Sequence, residues 1–433
     1  MKMLNRLNTS RFFRVGLLTL LTTLAGCATD GTYESRPVPG SRPVPPRPAH
    51  PTAPVPVPAP VPEAPRPQAP VYVPPVAPVP APVPPPSTPS APVLGERAGR
   101  ELIERLLPAY VSHRSAWVTD IHAAFVTLPI RLLPENVCAT IAIIEQESTF
   151  QSNPQVAGLS KIVWREIQTR RERYGIPKLA LDLALEKSSP DGRSYKARID
   201  ALRTENEVNI LYQDMISELP LGKVLLSDYN PVRTGGPMQV SVAFAEEHVR
   251  LKPYPYPRQG SLRDEVFTRR GGVYFGIANL LDYRNSYSKM LYRFADFNAG
   301  RYSSRNAAFQ QAVSRLSGRQ LALDGDLLRY VDGAVAPQGS ETLRALLSLR
   351  PRLDLDEPAI LRDLKLEKTL SFEQSTLYQR LYALADAQGE QQPRELIPRI
   401  ELKSPKITRK LTTEWFARRV EERYRNCLAK TRP

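Results

Sequence analysis

The sequence predicts a mainly α protein carried behind a long polyproline tether. Two observations predict it: where the prolines fall, and how the apolar residues recur. Of 44 prolines in 433 residues, 25 lie in the 56 residues from Pro37 to Pro92, which leaves an ordinary 19 for the other 377. Beyond that segment, apolar side chains return every three or four residues, the period of a helix, while two-residue alternation is scarce. Hydrophobic residues at 42% and aromatics at 8% supply a core for the globular part and exclude a disordered or coiled-coil chain there.

In chain order, the first element is an address. Lys2, Arg6, Arg11 and Arg14 precede a short apolar run from Val15 to Leu24. That run is about half the length a helix needs to cross a bilayer, so residues 1–26 are expected to be a cleaved signal peptide. Leu24-Ala25-Gly26-Cys27 has the lipobox pattern, with small residues before a cysteine whose thiol takes the lipid. Ala28 follows rather than aspartate, which points to an outer-membrane, lipid-anchored protein, expected on the periplasmic side rather than displayed at the cell surface, the alternative its tether leaves open. Losing residues 1–26 removes four positive charges and no negative ones, taking the formal charge from +15 to +11. In that compartment such a charge suits anionic envelope polymers and not nucleic acid.

Residues 27–93 make the lipidated cysteine and the linker. Proline fixes φ and removes donors, so the linker is expected to be polyproline II, its 56 residues from Pro37 to Pro92 reaching on the order of 170 Å at about 3.1 Å per residue. Helix 98–112 sets Leu102, Ile103, Leu106, Leu107 and Tyr110 on one face; helix 115–128 does so with Trp117, Ile121, Ala124 and Phe125. A third, 135–148, starts after Pro134 and carries Ile141 and Ile144. Further helices are expected at 161–173, 205–218, 238–250, 272–283, 287–298, 371–388 and 412–429, with short β pieces around 222–240. Two regions follow from this, 94–310 and a helical annex, 311–433.

With Cys27 taken by lipid, Cys138 and Cys427 are left in an oxidising compartment and are expected to form one disulfide, the alternative being two buried thiols. His50, His113, His122 and His248 are scattered without cysteine partners, so no metal site is expected. There is no phosphate-binding glycine loop and no serine-nucleophile elbow, and no cofactor is expected.

Three patches carry chemistry: Ile143-Ile144-Glu145-Gln146-Glu147-Ser148-Thr149-Phe150, then Gly235-Gly236-Pro237-Met238-Gln239-Val240-Ser241, then Phe294-Ala295-Asp296-Phe297-Asn298-Ala299-Gly300. In this order they resemble the lysozyme-like domain of soluble lytic transglycosylases, whose motifs are a helix ending in Glu-Ser plus an aromatic, Gly-Leu-Met-Gln, and Tyr-Asn-Ala-Gly. The resemblance covers about 135–305. The whole chain also resembles the YaiW-type lipoproteins, a family built on a domain of unknown function.

The resemblance implies a lysozyme-like helical domain that cleaves peptidoglycan glycan strands. One carboxyl, protonated near neutral pH, gives its proton to the leaving oxygen. It then takes one from the muramic acid C6 hydroxyl, which closes a 1,6-anhydro ring. On a helical wheel Glu145 and Glu147 flank the apolar stripe about equally; the motif's register assigns the acid to Glu147. By the same carry-over Ser148 orients it, Met238 and Gln239 line the sugar groove, and Asn298 holds the last turn of the cleft helix, capped by Gly300. Asp228, Asp264 and Asp296 are expected to be solvated or ion-paired. Two departures stand out. Some 90 residues separate Glu147 from Gln239, so about 160–230 is expected to be an insertion. The second is Phe297, which replaces the family's tyrosine. An alternative register sets Gly158-Leu159-Ser160-Lys161-Ile162 on the second motif, with better spacing but the wrong key side chains. The rival expectation is an inactive relative that binds glycan or a partner envelope protein.

Overall fold

The computed structural model describes residues 95–218, 230–258, 260–331, 333–402 and 409–431. The signal peptide, Cys27, the linker and Asp228 lie outside them. The fold is mainly α. Helices α1 (Glu96–Leu106), α2 (Arg114–Thr127) and α3 (Pro134–Ser148) lead into α4 (Leu159–Arg173), α5 (Lys178–Leu185), α6 (Tyr195–Asp200) and α7 (Glu205–Ser217). A hairpin, β1 (Thr234–Gly235) and β2 (Val240–Ser241), precedes α8 (Val242–Leu251), α9 (Leu262–Phe267), α10 (Arg269–Leu281) and α11 (Met290–Ala299). Then come α12 (Ser303–Ser317), the hairpin β3 (Tyr330–Val331) and β4 (Ala334–Val335), α13 (Glu341–Ser348), α14 (Arg350–Leu353) and α15 (Glu357–Leu364). A 3-10 turn, α16 (Thr376–Asp386), the hairpin β5 (Glu401–Leu402) and β6 (Leu411–Thr412), and α17 (Thr413–Ala429) close the chain. No helix among the described residues is long and apolar enough to cross a membrane.

Three hydrophobic cores organise these elements. The first joins α1–α3, the β1–β2 hairpin, α8, α10, α11 and α17. Pro134 opens α3 in its first turn, where a missing N–H leaves no acceptor unpaired. The hairpin lies close on α10 because α10 carries glycine where the two meet. A Cβ on Gly276 would stand 2.2 Å from Met238 Sδ, and one on Gly236 would stand 2.2 Å from the Val266 carbonyl oxygen.

The same core buries His248, whose Nε2 lies 3.2 Å from the Tyr274 hydroxyl. Burial first, then Arg301 and Lys252, lowers its pKa below the ordinary 6.5, against the opposing charge of Asp282. The folded state therefore binds fewer protons than the unfolded chain. This contribution is complete above pH 6.5 and is lost as pH falls through 6.5 toward the lowered value. Thermal melts from pH 7.5 to 5.5 are expected to show falling stability, with a shallower fall in His248→Gln.

Residues 159–217 form a helical module whose core, built from α4–α7, also takes in Val232 and Phe267. Thr204 caps α7 through a capping box with Glu207. The module is stitched to the chain leaving α3: Val156 N–H donates to the Arg203 carbonyl (2.8 Å), and Asn153 Nδ2 to Thr204 Oγ1 (3.2 Å). α9 is the joint between cores, since Val266 points into the first and Phe267 into the second.

The third core belongs to α12–α16. Residue 310 lies in the middle of α12, and the last helix packs outside this third core. Phe416, Ala417, Val420 and Cys427 of α17 pack into the first core. The disulfide Cys138–Cys427 crosses there, with Cα atoms 5.5 Å apart over 289 residues of sequence.

Candidate functional site

The site is built at the C-terminal end of α3. Ile141, Ile143 and Ile144 are buried; Glu145, Gln146 and Glu147 are half-buried. Ser148 is buried and its hydroxyl donates to the Ile144 carbonyl (3.0 Å), so it serves its own helix. Beyond it Thr149 (φ 51°) and Phe150 (φ 59°) both sit in the left-handed region. Each such residue costs about 1–2 kcal/mol. Packing holds the pair in place, because Phe150 is buried edge-on to Trp117 (5.2 Å) and to Tyr110 (6.4 Å). Thr149 is exposed and has no such compensation. Thr149→Gly is therefore expected to raise stability by about 1 kcal/mol, as measured by denaturant unfolding.

Glu145 and Glu147 lie on opposite sides of the apolar stripe of α3. Glu145 follows Cys138 by two helical turns and shares its face, the one covered by α17. Tyr110 lies past the end of α1 rather than on its apolar face, 57% exposed, and its hydroxyl donates to Glu145 Oε1 at 3.0 Å. Burial and that bond push the Tyr110 pKa up to about 12, with Arg423 of α17 opposing them. Glu147 lies two residues on, turned to the other side of α3.

The other expected site residues are placed as follows. Met238 is fully buried over Gly276, a core residue rather than the lining of an open groove. Gln239, at φ 49°, is half-buried in the hairpin turn; its Nε2 donates to the Gly236 carbonyl (3.2 Å), and Thr234 Oγ1 to its Oε1 (3.4 Å). Asn298 is exposed and its Oδ1 accepts from Thr413 Oγ1 (2.8 Å), which ties α11 to the start of α17. Gly300 caps α11, its N–H donating to the Asp296 carbonyl (2.7 Å). Phe297 is half-buried against the first core. What brings the three motifs together is that core: Ile144 and Phe150, Met238 and Val240, Phe294 and Ala295 all belong to it.

One acid is unlike its expectation. Asp296 is 1% exposed, and its partners among the described residues are hydroxyls and amides rather than a cation. It accepts from the hydroxyls of Tyr287 (2.6 Å) and Tyr283 (3.1 Å) and from the N–H groups of Tyr302 (2.8 Å) and Ser304 (2.7 Å). Burial raises its pKa, and these donors act against the rise. Asp296 thus anchors the amides that open α12, a role no local pattern announces. Asp264 is the N3 residue of a capping box with Ser261. A second contact missed in the sequence lies behind Phe150: Arg269 donates to Asp120 Oδ2 (2.6 Å) and lies 5.6 Å from the Trp117 ring, locking α10 to α2. Its partners are 149 residues apart, so spacing carries no signal of it.

The family model described as "Protein of unknown function (DUF1615)" matches residues 110–430. The match starts at Tyr110 and passes Cys427, so it includes all three motif segments and both cysteines. The protein of Escherichia coli (strain K12) named "Uncharacterized protein YaiW" is 48% identical over 328 residues, which is 76% of this chain and 88% of that protein. No solved structure matches the chain.

Proposed function

The chain belongs to the DUF1615 family, and from that premise we propose that it is a lipid-anchored envelope protein that cleaves peptidoglycan glycan strands by lytic transglycosylation. One observation carries the reading: three motif segments spread over more than 150 residues of sequence meet on one core, with Glu147 at the helix end beside it. A single carboxyl at that helix end is all the chemistry needs, since it gives its proton to the leaving oxygen of the glycosidic bond. The acid then acts as base on the muramic acid C6 hydroxyl. The lysozyme-like domain, Cys27 as the lipid attachment site at the outer membrane, and peptidoglycan as partner belong to the same proposal.

A second reading has its own observations. Phe297 lacks the hydroxyl of the family tyrosine, and the polar groups of Ser148 and Gln239 are turned to their own backbone. These favour a protein that binds glycan, or an envelope partner, without turnover. Digestion of purified sacculi, with products read by mass spectrometry, separates the two. Release of 1,6-anhydro-muropeptides supports the enzyme; sacculus pull-down with no release at any enzyme level leaves the binding module.

A further inference from the structure

Helix α5, in the module of α4–α7, is apolar nearly all round: four of its eight residues are leucine and two are alanine. Leu181 and Leu185 fill the module's core at 2% and 1% exposure. Leu179 and Leu183, one turn apart on the other side, stand 71% and 60% exposed. A helix with two apolar faces belongs in a buried setting, and here one face lies at the surface. Tyr174, 45% exposed, and half-buried Ile176 lead into it.

Cations surround this edge. Arg171 and Arg173 end α4, Lys178 opens α5 and Lys187 follows it. Among the local acids, Asp182 pairs with Lys178 (2.8 Å) at the surface, where such pairs exchange readily for other anions, while Glu172 pairs with half-buried Arg171 (3.2 Å), Glu186 with Lys196 (3.0 Å) and Glu218 with Lys187. The chain as a whole is strongly basic, at +15.

We propose that this edge docks on an anionic lipid surface. Leu179 and Leu183 enter the acyl boundary, Tyr174 sits at headgroup depth, and Arg171, Arg173 and Lys178 meet the phosphates. Area argues against a second copy of the chain as occupant. The three exposed side chains offer on the order of 300 Å². A stable dimer needs about 800 Å² from each partner. Shallow insertion into a bilayer needs only a few apolar side chains with basic neighbours. The inference is independent of the glycan reading.

The test uses the chain from position 27 onward carrying Cys27→Ser, so that neither the leader's apolar run nor a lipid reaches the membrane. It is sedimented with vesicles of phosphatidylglycerol and phosphatidylethanolamine, and with vesicles of phosphatidylcholine alone. Binding is expected on the anionic vesicles and should weaken as salt rises. Leu179→Glu with Leu183→Glu should weaken it at least about tenfold. Arg173→Gln with Lys178→Gln, both exposed, should weaken it and flatten its salt dependence. All four side chains lie outside the core, so circular-dichroism melts should match wild type, which separates lost binding from lost fold. No vesicle binding, equal binding to both vesicle types, or binding unchanged in the leucine variant would overturn the proposal. So would a dimer in light scattering that the leucine variant abolishes while vesicles stay unbound, since that would assign the face to a second copy.

Discussion

Glu147→Gln is expected to lower the release of anhydro-muropeptides from sacculi by about 10²–10⁴-fold, the usual contribution of a positioned general acid–base group. Glutamine keeps the shape and hydrogen-bonding capacity of the side chain but has no proton to give and cannot take one from the C6 hydroxyl. Binding of sacculi should survive, because the half-buried position tolerates an uncharged isostere. The matched control is Glu145→Gln. Glu145 accepts from Tyr110 on the α17 face of the same helix, so its loss should leave release within a few-fold of wild type. Equal loss in both variants would point to damage at the helix end rather than removal of an acid. Loss in Glu145→Gln alone would move the acid to Glu145.

Removing the cross-link is expected to have the largest effect on stability. Cys138→Ala with Cys427→Ala should cost about 5 kcal/mol in denaturant unfolding, because the bond closes a loop spanning 289 residues and the chain-entropy cost of closing it grows with length. The bond fixes α17 across α3, reinforcing the Phe416 and Val420 contacts and the edge-on pair of Phe294 and Tyr424 (5.5 Å). Since α3 also carries Glu147, the variant should lose sacculus release at a lower temperature than wild type. Unfolding midpoints that coincide would mean that packing alone holds the last helix.

Much of the helical framework is legible because period and punctuation agree. α3 shows Pro134 ahead of a run of isoleucines, and α17 repeats Phe416, Val420 and Cys427 on one face. α12 is not legible, because it buries Arg305, Asn306 and Gln310 in polar contacts and its apolar stripe is broken by side chains that read as solvent-facing. Arg305, 1% exposed, donates to the carbonyls of Thr369 and Glu367, partners more than 60 residues away. Tyr110 fits the apolar face of a longer first helix by spacing, yet α1 stops at Leu106 and the tyrosine reaches across to Glu145.

By itself the sequence determined the mainly α class and most helix positions, since these follow from local periodicity, and it offered Cys138 and Cys427 as an expected pair with two buried thiols as the alternative. Tertiary structure alone decided the rest. It gave Glu145 a tyrosine partner, drew Met238 into the core over Gly276, buried Asp296 among tyrosines and packed α17 into the first core. Each of these rests on contacts between residues far apart in the chain, and such contacts leave no periodic trace along it.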